Sequence, residues 1–123
     1  MNLFMKKFII VIVLLVSLTS CFDRIKVDRH KITLDGNEQE VVITANTSIF
    51  SMEIECGERT SYQEIENAMI TTGSWFEVIV KADSVRKAKV VVSKNESGVK
   101  RKLKVILNNY KYEDACTITQ NPL

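Results

Sequence analysis

Histidine is nearly absent from this sequence: His30 is the only one among 123 residues. It lies in a short charged stretch ahead of the first strand-like pattern. No Ser-His-Asp or Cys-His pairing, and no metal-ligand spacing, can be assembled around it. Carboxylates are plentiful, but Glu53/Glu55 and Glu113/Asp114 read as solvated strand and hairpin residues rather than as a catalytic pair. Catalysis is therefore not expected, and neither is a metal or a cofactor. A charge of one sign is missing too. Lys6 and Lys7 are two of the 17 basic residues, and the rest of the chain holds 15 basic against 15 acidic ones. That balance gives no electrostatic reason to expect nucleic acid as a partner. Finally, no apolar run reaches membrane length. The segment around Phe8 to Val16 spans about a dozen residues, short of the roughly 20 needed to cross a bilayer.

What the N-terminus does have is a charged start, an apolar middle and a small-residue exit, the pattern of a secretory signal peptide. The exit, Leu18-Thr19-Ser20-Cys21, resembles the lipobox of bacterial lipoproteins. That resemblance implies a diacylglycerol on Cys21, cleavage just before it and acylation of the new amino terminus. Two or three acyl chains make a lasting tether where one binds reversibly. The expected organisation is a signal peptide over residues 1–20, a lipidated tether over 21–30 and a domain over 31–123. Phe22 to His30 is mostly charged and unpatterned, and so reads as a flexible tether. The expected location is the outer membrane, on its periplasmic or surface face, with the membrane as partner through Cys21. Removing residues 1–20 leaves 103, enough for one small core.

From Lys31 onward the apolar period is two. Ile32 and Leu34 alternate, and Asp35-Gly36-Asn37 supplies a turn. Val41, Ile43 and Ala45 share a face, and Asn46-Thr47-Ser48 breaks the strand. Phe50, Met52, Ile54 and Cys56 mark a third strand, and Phe76, Val78 and Val80 a fourth. Ala88, Val90 and Val92 make a fifth, Leu103, Val105 and Leu107 a sixth, and Cys116 and Ile118 sit inward on a seventh. Residues 57–73 are the least regular, and 61–70 fits either a helical turn or a loop with a short strand. Asn108-Asn109 suits a tight hairpin, because Asn tolerates positive φ. Glu38, Glu40, Glu53, Glu55, Lys87, Lys89, Lys102 and Lys104 fall on the solvent face. Seven short strands, each with one apolar face, predict an all-β, immunoglobulin-like antiparallel β-sandwich.

The second half carries a further resemblance. A Trp-led strand at Trp75-Phe76-Glu77-Val78 is followed by Asn95-Glu96-Ser97-Gly98, then by Arg101 opening the next strand. The last strand ends in Gln120. This order resembles the BACON family (Bacteroidetes-associated carbohydrate-binding, often N-terminal), across about residues 31–121. Where that family carries a Trp, after Asn46-Thr47-Ser48, this chain has Ile49-Phe50. The resemblance implies a seven-stranded sandwich used as a module or spacer in cell-surface glycan-handling proteins.

For a sugar ligand the useful side chains are aromatics with an exposed face, and Trp75, Tyr110 and Tyr112 are the candidates. Trp75 reads equally as a core or sheet-rim residue beside Phe76, and the two tyrosines as covers for a neighbouring strand. Cys56 and Cys116 remain after Cys21. Export permits a disulfide worth about 4 kcal/mol in the chain-entropy model. However, strands flanking a common neighbour lie about 9.5 Å apart, beyond the roughly 7 Å Cα limit for bridging. Two free thiols are favoured. Asp83-Ser84-Val85 resembles the Asp-Ser/Thr-apolar tripeptide O-glycosylated at its hydroxyl in Bacteroidetes, and also fits a plain turn. The function expected is a lipid-anchored envelope binding module without catalysis, with carbohydrate or a partner protein as ligand. The alternative is a structural accessory lipoprotein that pairs through a sheet edge with another envelope protein.

Overall fold

Among the described residues the alternation of apolar and polar residues resolves into nine strands, most of which turn one face to a shared core. The computed structural model describes residues 24–123. The segment 1–20, Cys21 and the lipobox lie outside the described residues. The strands are β1 (Lys31–Leu34), β2 (Gln39–Thr44), β3 (Ser51–Glu55), β4 (Ser61–Ile65), β5 (Ala68–Thr72), β6 (Phe76–Lys81), β7 (Lys87–Val92), β8 (Arg101–Asn109) and β9 (Tyr112–Gln120). Two sheets form, in the orders β1-β9-β8-β3 and β2-β7-β6-β5-β4. The fold is all-β, an immunoglobulin-like sandwich.

The expected inner residues meet between the sheets. Ile43, Val78, Ala88, Val90, Val92, Leu103, Val105, Leu107, Cys116 and Ile118 are fully buried. Each buried Leu or Ile removes enough apolar surface to contribute about 2 kcal/mol, and together these residues hold the two sheets face to face.

Four expectations need correction. First, there are nine strands rather than seven, because residues 61–72 form a β4–β5 hairpin in register Ser61↔Thr72 to Ile65↔Ala68. Second, the sandwich is not wholly antiparallel, since β1 pairs with β9 in parallel from Lys31↔Thr117 to Leu34↔Gln120. The whole intervening domain serves as the crossover that a parallel pair requires. Third, the described part of the tether is packed. Ile25 and Val27 are buried in the core, and Val27 bridges Ala45 on the opposite sheet before the chain crosses to β1. Two alternating apolar residues in a charged run suffice for that. Fourth, the last hairpin turns at Tyr110-Lys111, with Asn109 paired to Tyr112. It is Tyr110, not an Asn, that takes a positive φ of 55°.

Phe50 also departs from expectation. It lies just ahead of β3, at the edge of its sheet, and is 60% exposed while Ile49 takes the core position.

Candidate functional site

The three aromatic candidates do not form one platform. Phe76, next to Trp75, pairs with Val92 at the same end as Arg101 and Gln120, whereas Tyr112 pairs with Asn109 at the other. The nine residues of β8 separate these ends; eight steps of about 3.4 Å make about 27 Å.

At the first end Trp75 is half-buried, edge-on to Phe76 at 5.1 Å between centroids. The Arg101 guanidinium sits 5.4 Å over its ring, occupying a face that a sugar would need. Arg101 is fixed in turn. Its Nε donates to Asn95 Oδ1 at 2.9 Å and its Nη2 to the Lys94 carbonyl at 2.9 Å. Asn95 is fully buried. Its Oδ1 also accepts from the Ser97 amide and hydroxyl, and its Nδ2 donates to the carbonyls of Val99 and Gln120. Gln120 Nε2 donates to the carbonyls of Ser93 and Asn37. Gly98 holds φ +79°, a conformation that disfavours any side chain. Gly36 lies against the Leu123 backbone, where a Cβ would come within 2.5 Å of it. Trp75, Asn95, Ser97, Gly98, Arg101 and Gln120, which carry the family-like pattern, thus converge in one polar seal. This arrangement closes the sandwich and leaves no flat ring to offer.

At the second end the surface is open. Tyr110, 67% exposed, stacks on Phe50 with centroids 4.7 Å apart and 26° between planes. Tyr112 is half-buried against the core, with the Arg24 guanidinium 5.3 Å over its ring. His30 Nε2 contacts Asp114 Oδ2 at 3.1 Å. Burial alone would raise the Asp114 carboxyl, but hydrogen bonds from the Val27 and Ala115 amides and the His30 ring outweigh it and hold it below its ordinary range. This carboxylate pins the incoming chain to β9.

The feature that sequence reasoning missed is β4. All five of its residues are exposed, and it pairs only with β5. Tyr62 opposes Thr71 and Glu64 opposes Met69. Thr71 is buried and Met69 packs on the core, so Tyr62 and Glu64 lie on the inward-facing side of the hairpin. They stay exposed because the four-stranded sheet ends at β3, and β4 overhangs it. The Tyr62 hydroxyl donates to Glu64 Oε1 at 3.4 Å. Partial desolvation, the Glu64 charge and this hydrogen bond push the phenol pKa up. Beside this shelf runs a cleft of about 470 Å³, lined among others by Ile49, Phe50, Glu64, Ile65, Met69 and Val80. The available signal was Tyr62 itself, an aromatic in a stretch with no buried face.

The remaining candidates are placed as follows. Cys56 and Cys116 are both free thiols, on or beside β3 and β9, which flank β8. Burial pushes the Cys116 thiol up to about 11. Ser84 is exposed in the β6–β7 turn, its amide donating to the Lys81 carbonyl at 3.0 Å. Among the described residues no group of His, Cys, Asp and Glu is arranged to hold a metal.

Comparison with known proteins bears on the fold. No family model matches this chain. No curated protein sequence matches it either. Among solved structures it is similar to a protein from Bacteroides thetaiotaomicron determined by NMR, with a TM-score of 0.56 and 15% identity over 82% of this chain and 89% of that one. It is also similar to part of a Bacteroides ovatus GH5 xyloglucanase, solved in complex with a XXXG heptasaccharide. There the TM-score is 0.52 and the identity 13%, over 80% of this chain and 19% of the xyloglucanase. At these identities the likeness shows a shared sandwich fold.

Proposed function

We propose that this chain is a non-catalytic binding module, held at the outer membrane by lipid on Cys21, whose ligand face is the β4–β5 overhang. The observation that carries this reading is the Tyr62–Glu64 shelf: an aromatic ring and a carboxylate kept in solvent on a strand that adds nothing to the core. An exposed ring stacks on the apolar face of a pyranose, and an adjacent carboxylate accepts from its hydroxyls. Carbohydrate is therefore the ligand class. The likeness to part of a xyloglucanase and the BACON-like pattern support a glycan-handling setting. Calorimetry across a glycan panel tests the reading, with binding by the mature chain and its loss in Tyr62→Ala as the expected result. Flat titrations across the panel would remove carbohydrate as the ligand.

One observation favours a second reading. Among the described residues β4 has a partner on one side only, and a free edge is where another protein adds a strand. An envelope protein captured by the mature chain but not by Gln63→Pro, together with flat glycan titrations, would select this accessory role.

A further inference from the structure

We infer that the end of the sandwich bearing Phe50 and Tyr110 docks onto the lipid surface that holds Cys21. The inference rests on the lipidation of Cys21 proposed above and adds an orientation to it. The described chain begins at this end and is fixed there. Ile25 is 1% exposed and Val27 7%. The Lys26 amide donates to Asn46 Oδ1 at 2.7 Å, and Asn46 Nδ2 donates to the Arg24 carbonyl at 3.2 Å. Arg24 itself covers Tyr112. Three residue steps lead back from Arg24 to Cys21. At about 3.8 Å each they reach about 11 Å at most, less than half the length of the sandwich. A lipid on Cys21 therefore holds this end, and not the Trp75 end, against the headgroups.

The chemistry of the surface agrees with that placement. Phe50, Ile65 and Tyr110 are each more than half exposed, and Val85 is 38% exposed. Phenol rings with an apolar body and a polar tip partition to the membrane–water interface. The cations at this end (Arg24, Lys26, Lys81, Arg86, Lys87 and Lys111) face Glu64, Glu66, Asp83, Glu113 and Asp114, so charge adds little and the apolar rings carry the contact. Tyr110 gives an independent sign. It occupies a positive-φ hairpin position that Gly or Asn fills at little cost, while Tyr pays steric strain there. The chain nevertheless keeps there a ring that stacks on Phe50 and projects from this end. Because the tether is so short, its effective concentration at the bilayer is high, and even a weak contact suffices to set the orientation. Tyr110 and Phe50 then belong to the membrane, while β4 and its Tyr62 face sideways.

The single Trp of the chain makes the test direct. The full chain, processed and lipidated in a bacterial host, is reconstituted into vesicles of phosphatidylethanolamine and phosphatidylglycerol containing brominated acyl chains. Trp75, at the far end, is expected to stay unquenched. The added fluorescence of Tyr110→Trp is expected to be quenched, and that of Phe50→Trp likewise, so a folding defect in one variant leaves the other to report. Added emission that brominated lipid leaves untouched in both, on chains that still float with the vesicles, would overturn the docking and leave the lipid anchor standing. A mass showing unmodified Cys21 would overturn both.

Discussion

The two ends of this sandwich solve opposite problems. At the Trp75 end, polar side chains are buried and mostly bonded: Asn95 and Gln120 are fully buried, with Gln120 Oε1 alone left without a partner among the described residues, and Arg101 bonds Asn95 while covering the only Trp. At the Tyr110 end, apolar side chains are exposed and stacked, with Phe50 and Tyr110 in contact and in solvent. A buried amide without partners costs about 1–3 kcal/mol, so the first arrangement exists to complete the fold. The Phe50–Tyr110 stack leaves both rings largely in solvent, so the second end presents an apolar surface outward. Trp75, Asn95, Ser97, Gly98, Arg101 and Gln120 all sit at the completed end, so their pattern reports how the sandwich closes and leaves its ligand open.

The comparison breaks most visibly where the chain comes in. Ile25 lies at the open end yet is almost wholly buried. Ile25→Ala is expected to cost about 3 kcal/mol, the usual toll of a large-to-small change in a core. The urea midpoint of the mature chain reads it. An unchanged midpoint would mean that this segment is a loose tether, and the fixed end would lose its basis. Next comes the seal. Asn95→Ala removes the acceptor of Arg101 and Ser97 and frees two carbonyls, at a cost of about 2 kcal/mol. For a domain of this size that lowers the melting temperature by about 10 °C. A melt indistinguishable from wild type would show that the polar end is not what closes the sandwich.

Legibility in the sequence followed burial. Leu103, Val105 and Leu107 alternate because one face of β8 is core and the other is Lys102 and Lys104 in water. β4 could not be read this way. Period two arises from a strand having one dry face, and Tyr62, Gln63, Glu64 and Ile65 have none. Phe50 shows the converse. Its parity with Met52 and Ile54 is right for the inner side, but parity reports which side a residue is on and not whether anything covers it. Ile25 and Val27 alternate too, but two residues set among Arg24, Lys26 and Asp28 are too few to stand out. At the last hairpin, Asn108 and Asn109 advertised a turn while both remain in β8. The β4 residues proposed to face a ligand were hard to find because exposure erases the pattern that reveals structure.

The finest distinction between the ends lies in their positive-φ residues. Gly98 at the sealed end and Tyr110 at the open end both enter the left-handed region, at +79° and +55°. Gly98→Ala has open space for its Cβ, so its whole effect is conformational, a loss of about 1 kcal/mol. Tyr110→Gly works in the other direction. It relieves the strain of a bulky side chain at positive φ but forfeits the stacking on Phe50 and adds chain entropy to the unfolded state. These terms are each about 0.5–1 kcal/mol and oppose one another, so the stability read from urea unfolding is expected to change by less than about 0.5 kcal/mol. A small shift in Tyr110→Gly beside a clear loss in Gly98→Ala would show that strain is offset at the first position and not at the second. If instead Tyr110→Gly cost as much as the Gly98 change, the Tyr110–Phe50 pair would be structural, and its exposure would need no membrane to explain it.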